Sequence, residues 1–500
     1  MGTVMRRAAV VAGAALVLLG PAAGTHPAAG APAVPGGSWG TAREVPGIAP
    51  LQQSPANAQI GVVSCASAGN CSAGGYHVES SGFQAMVVSQ VHGTWGRPRL
   101  VPGIAALDPG GFAYVNSMSC ASAGNCSAGG SYEFATQLFV VTQVHGTWGK
   151  AIEIPGLAAL NRGGNAQMGA LSCGSAGNCT AGGYYLRSSS GFEQAFLVSQ
   201  VRGTWGKARQ VPGLAALEHG GIAETDSVSC ASAGNCSAGG WYQNGTGPSR
   251  IETAFVVSEV RGTWGKATQV PGLAALNKGG VAEIFSVSCA SAGNCSAGGP
   301  YEDGSPRAQA FVVSQVHGTW GKAIEVPGTA ALNKGNSTGT EHVSCASAGN
   351  CSAGGGYLES SSGPSQMFVV SEVNGRWGKA IEIPGTAALN RGGNADISSV
   401  SCASAGNCTA GGAYADRSGN FQAFVVSEVN GRWGKAIEVP GTAALNRGAD
   451  AGVFSVSCAS AGNCTAGGAY ADSSGKQEGF VVSEVHGTWG KAREVPAPPP

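Results

Sequence analysis

Hydrophobic residues come in short runs along this chain, and no stretch keeps a helical period. One unit shows four runs in order: Ile397 to Cys402, Cys408 to Tyr414, Ala423 to Val429 and Arg432 to Val439. Runs of this length, rich in β-branched and aromatic residues and bounded by glycine, predict strands. Asn430-Gly431 predicts a type I′ hairpin between the last two, because both central residues of that turn need positive φ.

The unit is repeated, and its two most constant phrases set the period. The first, Ser64-Cys65-Ala66-Ser67-Ala68-Gly69-Asn70-Cys71, returns with cysteines at 120/126, 173/179, 230/236, 289/295, 345/351, 402/408 and 458/464. The second begins at Trp39, Trp95, Trp148, Trp205, Trp264, Trp320, Trp377, Trp433 and Trp489. A regular repeat of four strands predicts an all-β, eight-bladed β-propeller of four-stranded antiparallel blades. An open β-solenoid is the alternative.

The ninth tryptophan phrase, at Trp39, has no third strand of its own. We expect it to take part in ring closure by pairing at the edge of the last blade. The propeller then covers residues 39–496, in eight repeats of about 56 residues.

All 16 cysteines fall into eight Cys-x5-Cys pairs, each across the predicted hairpin of the first two strands. Regularly paired cysteines in an exported chain predict disulfides. The predicted pairs are Cys65 with Cys71, Cys120 with Cys126, Cys173 with Cys179, Cys230 with Cys236, Cys289 with Cys295, Cys345 with Cys351, Cys402 with Cys408 and Cys458 with Cys464. The alternatives are a metal site, which needs further ligands, and redox chemistry, which favours a closer Cys-x-x-Cys. We expect no metal and no cofactor.

The first 33 residues predict an export signal, because Arg6 and Arg7 precede an apolar run from Ala8 to Leu19. The run is shorter than the ~20 residues that span a bilayer, so we expect a secreted, extracellular monomer without a stable membrane anchor. Residues 34–38 form a linker and residues 497–500 a Pro-rich tail.

Lys+Arg and Asp+Glu balance at 28 each, which argues against a nucleic-acid partner.

These phrases resemble those of exported actinobacterial repeat proteins, whose β-propeller modules carry an SCxSAxxCxAxG motif and are distantly similar to Asp-box sialidases. The resemblance covers residues 39–496 and implies the propeller fold, but no particular activity. Ser371-Glu372-Val373-Asn374-Gly375-Arg376-Trp377 keeps the serine, glycine and tryptophan of an Asp-box. It lacks the aspartate and is one residue short.

Antiparallel strands place the disulfide loops and the Gly-Trp turns on one face, and the remaining loops on the other. The second face holds nearly all the variation between repeats: 77–84, 133–137, 186–194, 243–253, 302–309, 358–366, 415–422 and 471–478. Binding residues concentrate on such loops. A ring of aromatics at the end of the second strand supplies the candidate ligand-binding residues: His77, Tyr132, Tyr185, Trp241, Tyr242, Tyr301, Tyr357, Tyr414 and Tyr470. The alternative is that these rings brace one blade against the next.

Catalysis needs one asymmetric cluster, and the fourth repeat departs most from the others. Its unusual residues are Glu218, His219, Glu224, Asp226, Trp241 and Arg250. Paired carboxylates there could serve glycoside hydrolysis, but we assign no catalytic residue. The sequence favours a non-enzymatic binding scaffold for an extracellular glycan or cell-surface protein. The alternatives are a glycan-cleaving hydrolase or lyase, and a structural surface protein without a specific ligand.

Overall fold

A computed structural model of the chain describes residues 58–79, 82–189, 191–219, 221–245, 251–305 and 307–495. The predicted signal peptide, the linker, the phrase at Trp39, Arg250 and the Pro-rich tail lie outside the described residues. Eight antiparallel sheets follow one another along the chain, and each is built from one consecutive segment. These sheets are the eight blades, numbered from the N-terminus. In every blade we call the three long strands A, B and C.

The long strands carry almost all of each sheet. Strands A are Ala58–Ser67, Tyr114–Ser122, Ala166–Ser175, Ala223–Ser232, Ser286–Ser291, Thr338–Ser347, Ala395–Ser404 and Ala451–Ser460. Strands B are Asn70–Glu79, Asn125–Tyr132, Asn178–Leu186, Asn235–Asn244, Asn294–Glu302, Asn350–Leu358, Asn407–Ala415 and Asn463–Ala471. Strands C are Gly82–Val91, Gln137–Val144, Glu193–Val201, Ile251–Val260, Ala308–Val316, Ser365–Val373, Phe421–Val429 and Gln477–Val485.

The predicted fourth strand is divided in two, so the sheets have five strands rather than four. The first pieces are Thr94–Trp95, Thr147–Trp148, Thr204–Trp205, Thr263–Trp264, Thr319–Trp320, Arg376–Trp377, Arg432–Trp433 and Thr488–Trp489. The second pieces are Arg99–Leu100, Ile152–Glu153, Arg209–Gln210, Thr268–Gln269, Ile324–Glu325, Ile381–Glu382, Ile437–Glu438 and Arg493–Val495. The cause is a change of partner, because the Ala436 N–H donates to Pro384 O of the preceding blade, at 2.7 Å, instead of to its own strand C.

One helical turn begins each of the seven linkers between blades, which the sequence pattern did not predict. The α-helical turns are Ile104–Leu107, Leu157–Leu160, Leu273–Leu276, Thr329–Leu332, Thr386–Leu389 and Thr442–Leu445, and Leu214–Ala216 is a 3₁₀ turn. Each follows a glycine with left-handed φ, and its first residue is buried between two blades.

The blades close into a ring through their A strands. In every blade the N–H of the first cysteine donates to the serine Oγ of the preceding blade, at 2.8–3.0 Å. The bond from Cys65 to Ser457 joins the first blade to the eighth, so the structure is closed and the solenoid alternative is wrong.

Eight disulfides, one in each blade, join strand A to strand B and confirm all of the predicted cysteine pairs. The bonded pairs are Cys65 with Cys71, Cys120 with Cys126, Cys173 with Cys179, Cys230 with Cys236, Cys289 with Cys295, Cys345 with Cys351, Cys402 with Cys408 and Cys458 with Cys464. Each of the 16 cysteines is therefore bonded to the other cysteine of its own hairpin.

The second cysteine of each pair has a further contact, which the sequence analysis did not predict. Its Sγ lies 3.2–3.6 Å from a serine or threonine Oγ of the preceding blade. The contacts are Cys71 with Thr465, Cys126 with Ser72, Cys179 with Ser127, Cys236 with Thr180, Cys295 with Ser237, Cys351 with Ser296, Cys408 with Ser352 and Cys464 with Thr409. Each disulfide therefore joins the two strands of its own hairpin and also takes part, through its second sulfur, in the contact between blades.

Hydrophobic clusters fill the spaces between neighbouring blades. Phe139, Phe196, Phe255, Phe311, Phe368, Phe424 and Phe480 are among the largest side chains that are fully buried there. Close approach explains the repeated Gly-Gly pair in strand B. A Cβ at Gly74 would meet Val115 Cγ1 of the next blade at 2.7 Å, and a Cβ at Gly75 would meet Gln59 O at 1.8 Å. The core is therefore made of eight similar layers arranged around the axis.

Candidate functional site

One face of the ring, the constant face, carries the disulfide loops and the turns after strand C. In blade 7, Asn430 and Gly431 adopt φ of 51° and 77°, which confirms the predicted positive-φ turn. The disulfide loop holds this turn: Asn407 Oδ1 accepts the Asn430 N–H at 3.2 Å, and Gly406 O accepts the Gly431 N–H at 2.8 Å. The Asn and Gly of each disulfide loop are thus hydrogen-bonding residues that fix the turn beside them.

The same pair of bonds occurs in all eight blades. The turn residues whose N–H groups are held by asparagine are His92, His145, Arg202, Arg261, His317, Asn374, Asn430 and His486. They all have φ between 46° and 52°. A non-glycine residue in this conformation is costly, by about 1–2 kcal/mol. The loop contact therefore stabilises a turn that the His and Arg sequences would not favour by themselves.

The opposite face, the variable face, carries the loops between strands B and C and the linkers between blades. In blade 3 the linker that precedes the blade contacts the end of strand B. The Gly163 N–H of the linker donates to Leu186 O at 2.9 Å, and the Leu186 N–H donates to Asn165 O at 2.8 Å. This placement agrees with the division of loops expected from the sequence.

The predicted tyrosine ring lies just inside the variable face, between the blades. Exposure is 3–4% for all of its members: Tyr132, Tyr185, Tyr242, Tyr301, Tyr357, Tyr414 and Tyr470. Tyr470 donates its hydroxyl to Glu494 at 2.9 Å, and Tyr301 donates to Glu325 at 3.0 Å. Burial, with the carboxylate beside each hydroxyl, raises the pKa of both tyrosines. His77 and Trp241 are 5% and 6% exposed. A ligand-binding role for this ring stays a prediction.

An aromatic cluster that the sequence analysis did not single out lies on the variable face of blades 1 and 2. We call Tyr76, Phe83, Phe112 and Phe134 the aromatic platform. Its ring centroids follow one another at 4.9 Å from Tyr76 to Phe83, 5.9 Å to Phe112 and 3.5 Å to Phe134. The last pair is stacked at an interplanar angle of 28°, and Phe134 is 71% exposed. The platform therefore ends in an aromatic ring that faces solvent.

The backbone that carries Phe134 is strained. Glu133, Phe134 and Ala135 have φ of 51°, 56° and 65°, and no other three consecutive residues without glycine share this conformation in the described chain. Left-handed non-glycine residues cost about 1–2 kcal/mol each. Such strain concentrates at binding and active sites, where it holds a side chain in position.

A buried carboxylate lies beside the platform. Asp108 is 4% exposed; its Oδ2 accepts the Phe112 N–H, and its Oδ1 has no hydrogen-bond partner among the described residues. The corresponding residue after blade 2, Asn161, instead donates to Thr136 O at 2.6 Å and accepts the Asn165 N–H at 3.1 Å. With Asp in place of Asn the amide donor is absent, and the buried carboxylate contacts the platform through the Phe112 N–H.

Sequence reasoning missed the platform because it searched for aromatic residues that recur. Phe83 and Phe134 lie inside the variable segments 77–84 and 133–137. Phe421 is the counterpart of Phe83 in blade 7, whereas Phe134 has no aromatic counterpart in the other repeats. Phe112 lies in the linker between the same two blades. Three phenylalanines within two adjacent variable regions were the available signal.

The structure divides the unusual residues of blade 4 into two sets. Glu224 and Asp226 lie on strand A, where burial and the neighbouring carboxylates of Asp226, Glu193 and Glu283 raise the pKa of Glu224 well above its ordinary value. Glu218 instead accepts from Gln194 Nε2 at 3.4 Å, and exposed His219 contacts Leu217 O through Nδ1 at 3.1 Å. Trp241 pairs directly with Glu224 across strands A and B.

Among the described residues, no group of three or more His, Cys, Asp or Glu side chains could hold a metal ion. Every helix in that part of the chain is a single turn and falls far short of spanning a bilayer.

No protein-family model and no curated protein sequence matches the chain. Solved structures of propeller proteins are similar to it. Pyrococcus horikoshii acylaminoacyl peptidase has 10% identity and a TM-score of 0.41, over 76% of this chain and 52% of that one. Chaetomium thermophilum Sqt1 bound to the N-terminus of ribosomal protein L10 has 10% identity and a TM-score of 0.43, over 82% and 94%. A Hadza microbial sialidase has 10% identity and a TM-score of 0.33, over 66% and 65%.

The chain thus spans about half the length of the peptidase and about two thirds of the sialidase. Peptidases, glycosidases and a ribosomal-protein-binding scaffold all occur among these neighbours. Their TM-scores are below 0.5, so these likenesses carry no argument about activity.

Proposed function

We propose that the protein is an exported, non-enzymatic scaffold that binds an extracellular glycan through its variable face. The exposed Phe134 ring, stacked on Phe112 and held by three left-handed residues, is the observation that carries the proposal. Eight disulfides favour an oxidising, extracellular environment. A cell-surface protein is the other ligand class, and the experiment below separates the two.

A sugar ring suits the platform for a physical reason. Aromatic rings present a wide apolar surface at low conformational cost, and the C–H face of a pyranose can stack on it. Such sites need only a few polar groups to fix orientation. Glu133 is the polar neighbour on the strained loop itself, where its side chain accepts from the Thr136 hydroxyl at 3.4 Å.

The test is binding of the mature chain to a panel of cell-wall and environmental polysaccharides. We expect saturable binding that Phe134→Ala weakens by about tenfold or more, which corresponds to roughly 1.4 kcal/mol. Val373→Ala is the matched control, because Val373 is 56% exposed on the constant face. Equal losses for both variants, or no binding to any glycan, would overturn the glycan proposal and direct the search to protein partners.

The tyrosine ring enters the same experiment as a second set of proposed contacts. Tyr414→Ala removes a ring that donates to Glu438 at 3.4 Å within its own blade. If the ring binds ligand, this variant should lose affinity at temperatures well below its melting point. A lower melting temperature with unchanged affinity would assign the tyrosines to packing between blades.

Glycan hydrolysis is the second candidate, and one observation favours it. Glu224 has a raised pKa beside the Asp226 carboxylate, and a proton-donating acid near a second carboxylate is what glycoside hydrolysis requires. Release of reducing ends from the same polysaccharides tests it. Activity that is lost in both Glu224→Gln and Asp226→Asn would support hydrolysis, whereas no release by the wild type would remove this candidate.

A further inference from the structure

The contact between blades 8 and 1 differs from the other seven. At each of the seven, an alanine N–H donates to a proline carbonyl of the preceding blade at 2.6–2.8 Å; the donors are Ala151, Ala208, Ala267, Ala323, Ala380, Ala436 and Ala492. At each, a buried Gln or Glu near the end of strand C also bonds to a Ser or Thr of the preceding blade; these residues are Gln143, Gln200, Glu259, Gln315, Glu372, Glu428 and Glu484.

Neither contact forms between blades 8 and 1 in the described chain. Pro98 occupies the position of the alanine, and it has no N–H to donate. Gln90 Nε2 donates to Gly93 O of its own blade, as Gln143 Nε2 does to Gly146 O. Among the described residues, however, Gln90 has no counterpart of the bond from Gln143 to Ser89 of the preceding blade. The inner contacts are intact, because Cys65 and Val63 donate to Ser457 and Ser455 at 2.9 and 3.1 Å. The ring is therefore closed near its axis and incomplete further out.

A cleft of about 310 Å³ lies at this outer position. Blade 1 contributes Gln90, Gly93 and Trp95 to its walls, and blade 8 contributes residues between Val481 and Arg493. The apolar cluster here contains Val495, but in the described chain it has no counterpart of Ile104 or Leu157, the linker residues that are buried between the other blades. One buried apolar side chain and one linker are thus missing from this contact.

The sequence contains a segment with the missing residues. Residues 39–53, outside the described residues, repeat the phrase that elsewhere forms the divided fourth strand and the following linker. Ile48 stands nine residues after Trp39, the same spacing that separates Trp95 from Ile104 and Trp148 from Leu157. The segment also leads directly to strand A of blade 1, as every linker leads to the strand A that follows it.

We propose that residues 39–53 of the same chain dock in the cleft between blades 8 and 1 and complete the ring. Ile48 supplies the buried apolar side chain of the missing linker, and the residues from Trp39 lie along the wall formed by Val481 to Val485. The first and last repeats are then joined at the outside of the ring as well as at its axis.

Photocrosslinking of the full mature chain tests this docking. Val485 lines the cleft, and p-benzoylphenylalanine in its place should form an adduct within residues 39–53 of the same molecule. The matched control places the probe at Val429, the corresponding residue of blade 7, which should give no adduct to that segment. Adducts to a second copy, visible as a crosslinked dimer, or to any other segment would overturn the proposal.

A variant in the segment provides the second measurement. Ile48→Asp should reduce the adduct yield from position 485 at least tenfold, because a carboxylate is unfavourable in an apolar cluster. Ile437→Asp is its control, since Ile437 is 42% exposed on blade 7 and lies away from this contact. An unchanged yield in Ile48→Asp would refute the assigned position of Ile48.

Discussion

The constant face and the variable face are built from the same eight repeats, yet backbone strain is used differently on them. On the constant face a left-handed non-glycine residue occurs in every blade. An asparagine of the disulfide loop accepts its N–H each time, and a loop carbonyl accepts the N–H of the glycine that follows it. On the variable face three such residues occur in a row once, from Glu133 to Ala135. Repeated strain with repeated hydrogen bonds indicates a structural device, whereas unrepeated strain beneath an exposed aromatic ring supports the binding site proposed above.

The two faces also differ in the groups that surround their buried glutamates. Glu372 and Glu428, near the constant face, each accept two serine hydroxyls, and burial still raises the pKa of both. Glu478, near the variable face, lies near the Glu494 and Asp472 carboxylates, whose effect Lys476 offsets only in part. Hydrogen bonds compensate the buried charge in the first case, and charge repulsion adds to its cost in the second.

The largest expected effect comes from the loop that holds the turn in blade 7. Gly406 has φ of 69°, and a Cβ there would lie 2.6 Å from Gly431 N. Gly406→Ala should lower the free energy of unfolding by about 3 kcal/mol, from strain and overlap together. Gly431→Ala is the control, because its φ is 77° but its Cβ would meet nothing within 4 Å. Urea denaturation should show a loss of only about 1 kcal/mol for it.

The second effect depends on pH. Burial, with the Glu494 and Asp472 carboxylates, raises the pKa of Glu478 to about 8 from 4.5. The folded state therefore holds this proton more tightly, so stability is highest below pH 4.5 and falls as the pH rises towards 8. Glu478→Gln should leave stability at pH 4 unchanged and raise it above pH 8 by about 2 kcal/mol, after a discount for partial exposure.

Melting temperatures measured across this pH range would test the effect. Most other blades have glutamine at the corresponding position, for example Gln422, which donates to Asp416 at 3.2 Å. Gln422→Glu is therefore the reciprocal variant and should introduce a loss of stability at high pH. A pH-independent difference between wild type and Glu478→Gln would contradict the assigned pKa.

The contrast between repeated and unrepeated features also decides which parts of the structure the sequence predicts. The blade count, the disulfides and the turn at Asn430-Gly431 are repeated features, so periodicity and turn chemistry predict them. The division of the fourth strand was missed because it depends on a bond from Ala436 to Pro384 of another blade. The platform was missed because Phe112 and Phe134, which complete it, do not recur.

The cysteines show the limit of the repeat pattern most directly. Spacing within one repeat predicts which two sulfurs bond, and all eight pairs are confirmed. Spacing does not predict the hydroxyl groups that the neighbouring blade places beside the second sulfur, as it does at Cys126, Cys179, Cys236 and Cys464. Such contacts join residues more than 50 positions apart, so they follow only from how the blades stack.

A smaller effect tests the hydrogen bonds of the constant face. Asn407 accepts the Asn430 N–H and donates through Nδ2 to Ser404 Oγ and Ala405 O, at 3.0 and 3.2 Å. Asn407→Ala removes all three exposed bonds and should lower the free energy of unfolding by about 1 kcal/mol. Hydrogen exchange at the Asn430 amide should become faster, with blade 6 as the internal reference. Unchanged exchange would mean that the turn does not depend on the loop.

The smallest expected effect concerns the strained loop of the variable face, and its sign is opposite. Ala135 has φ of 65°, which glycine adopts without penalty, so Ala135→Gly should stabilise the fold by about 0.5–1 kcal/mol or leave it unchanged. If strain fixes Phe134 for a ligand, the same variant should bind more weakly although it is at least as stable, because the loop gains freedom that binding must remove. Weaker binding together with equal or higher stability cannot arise from general unfolding, and a parallel fall of both would assign the loop to the fold alone.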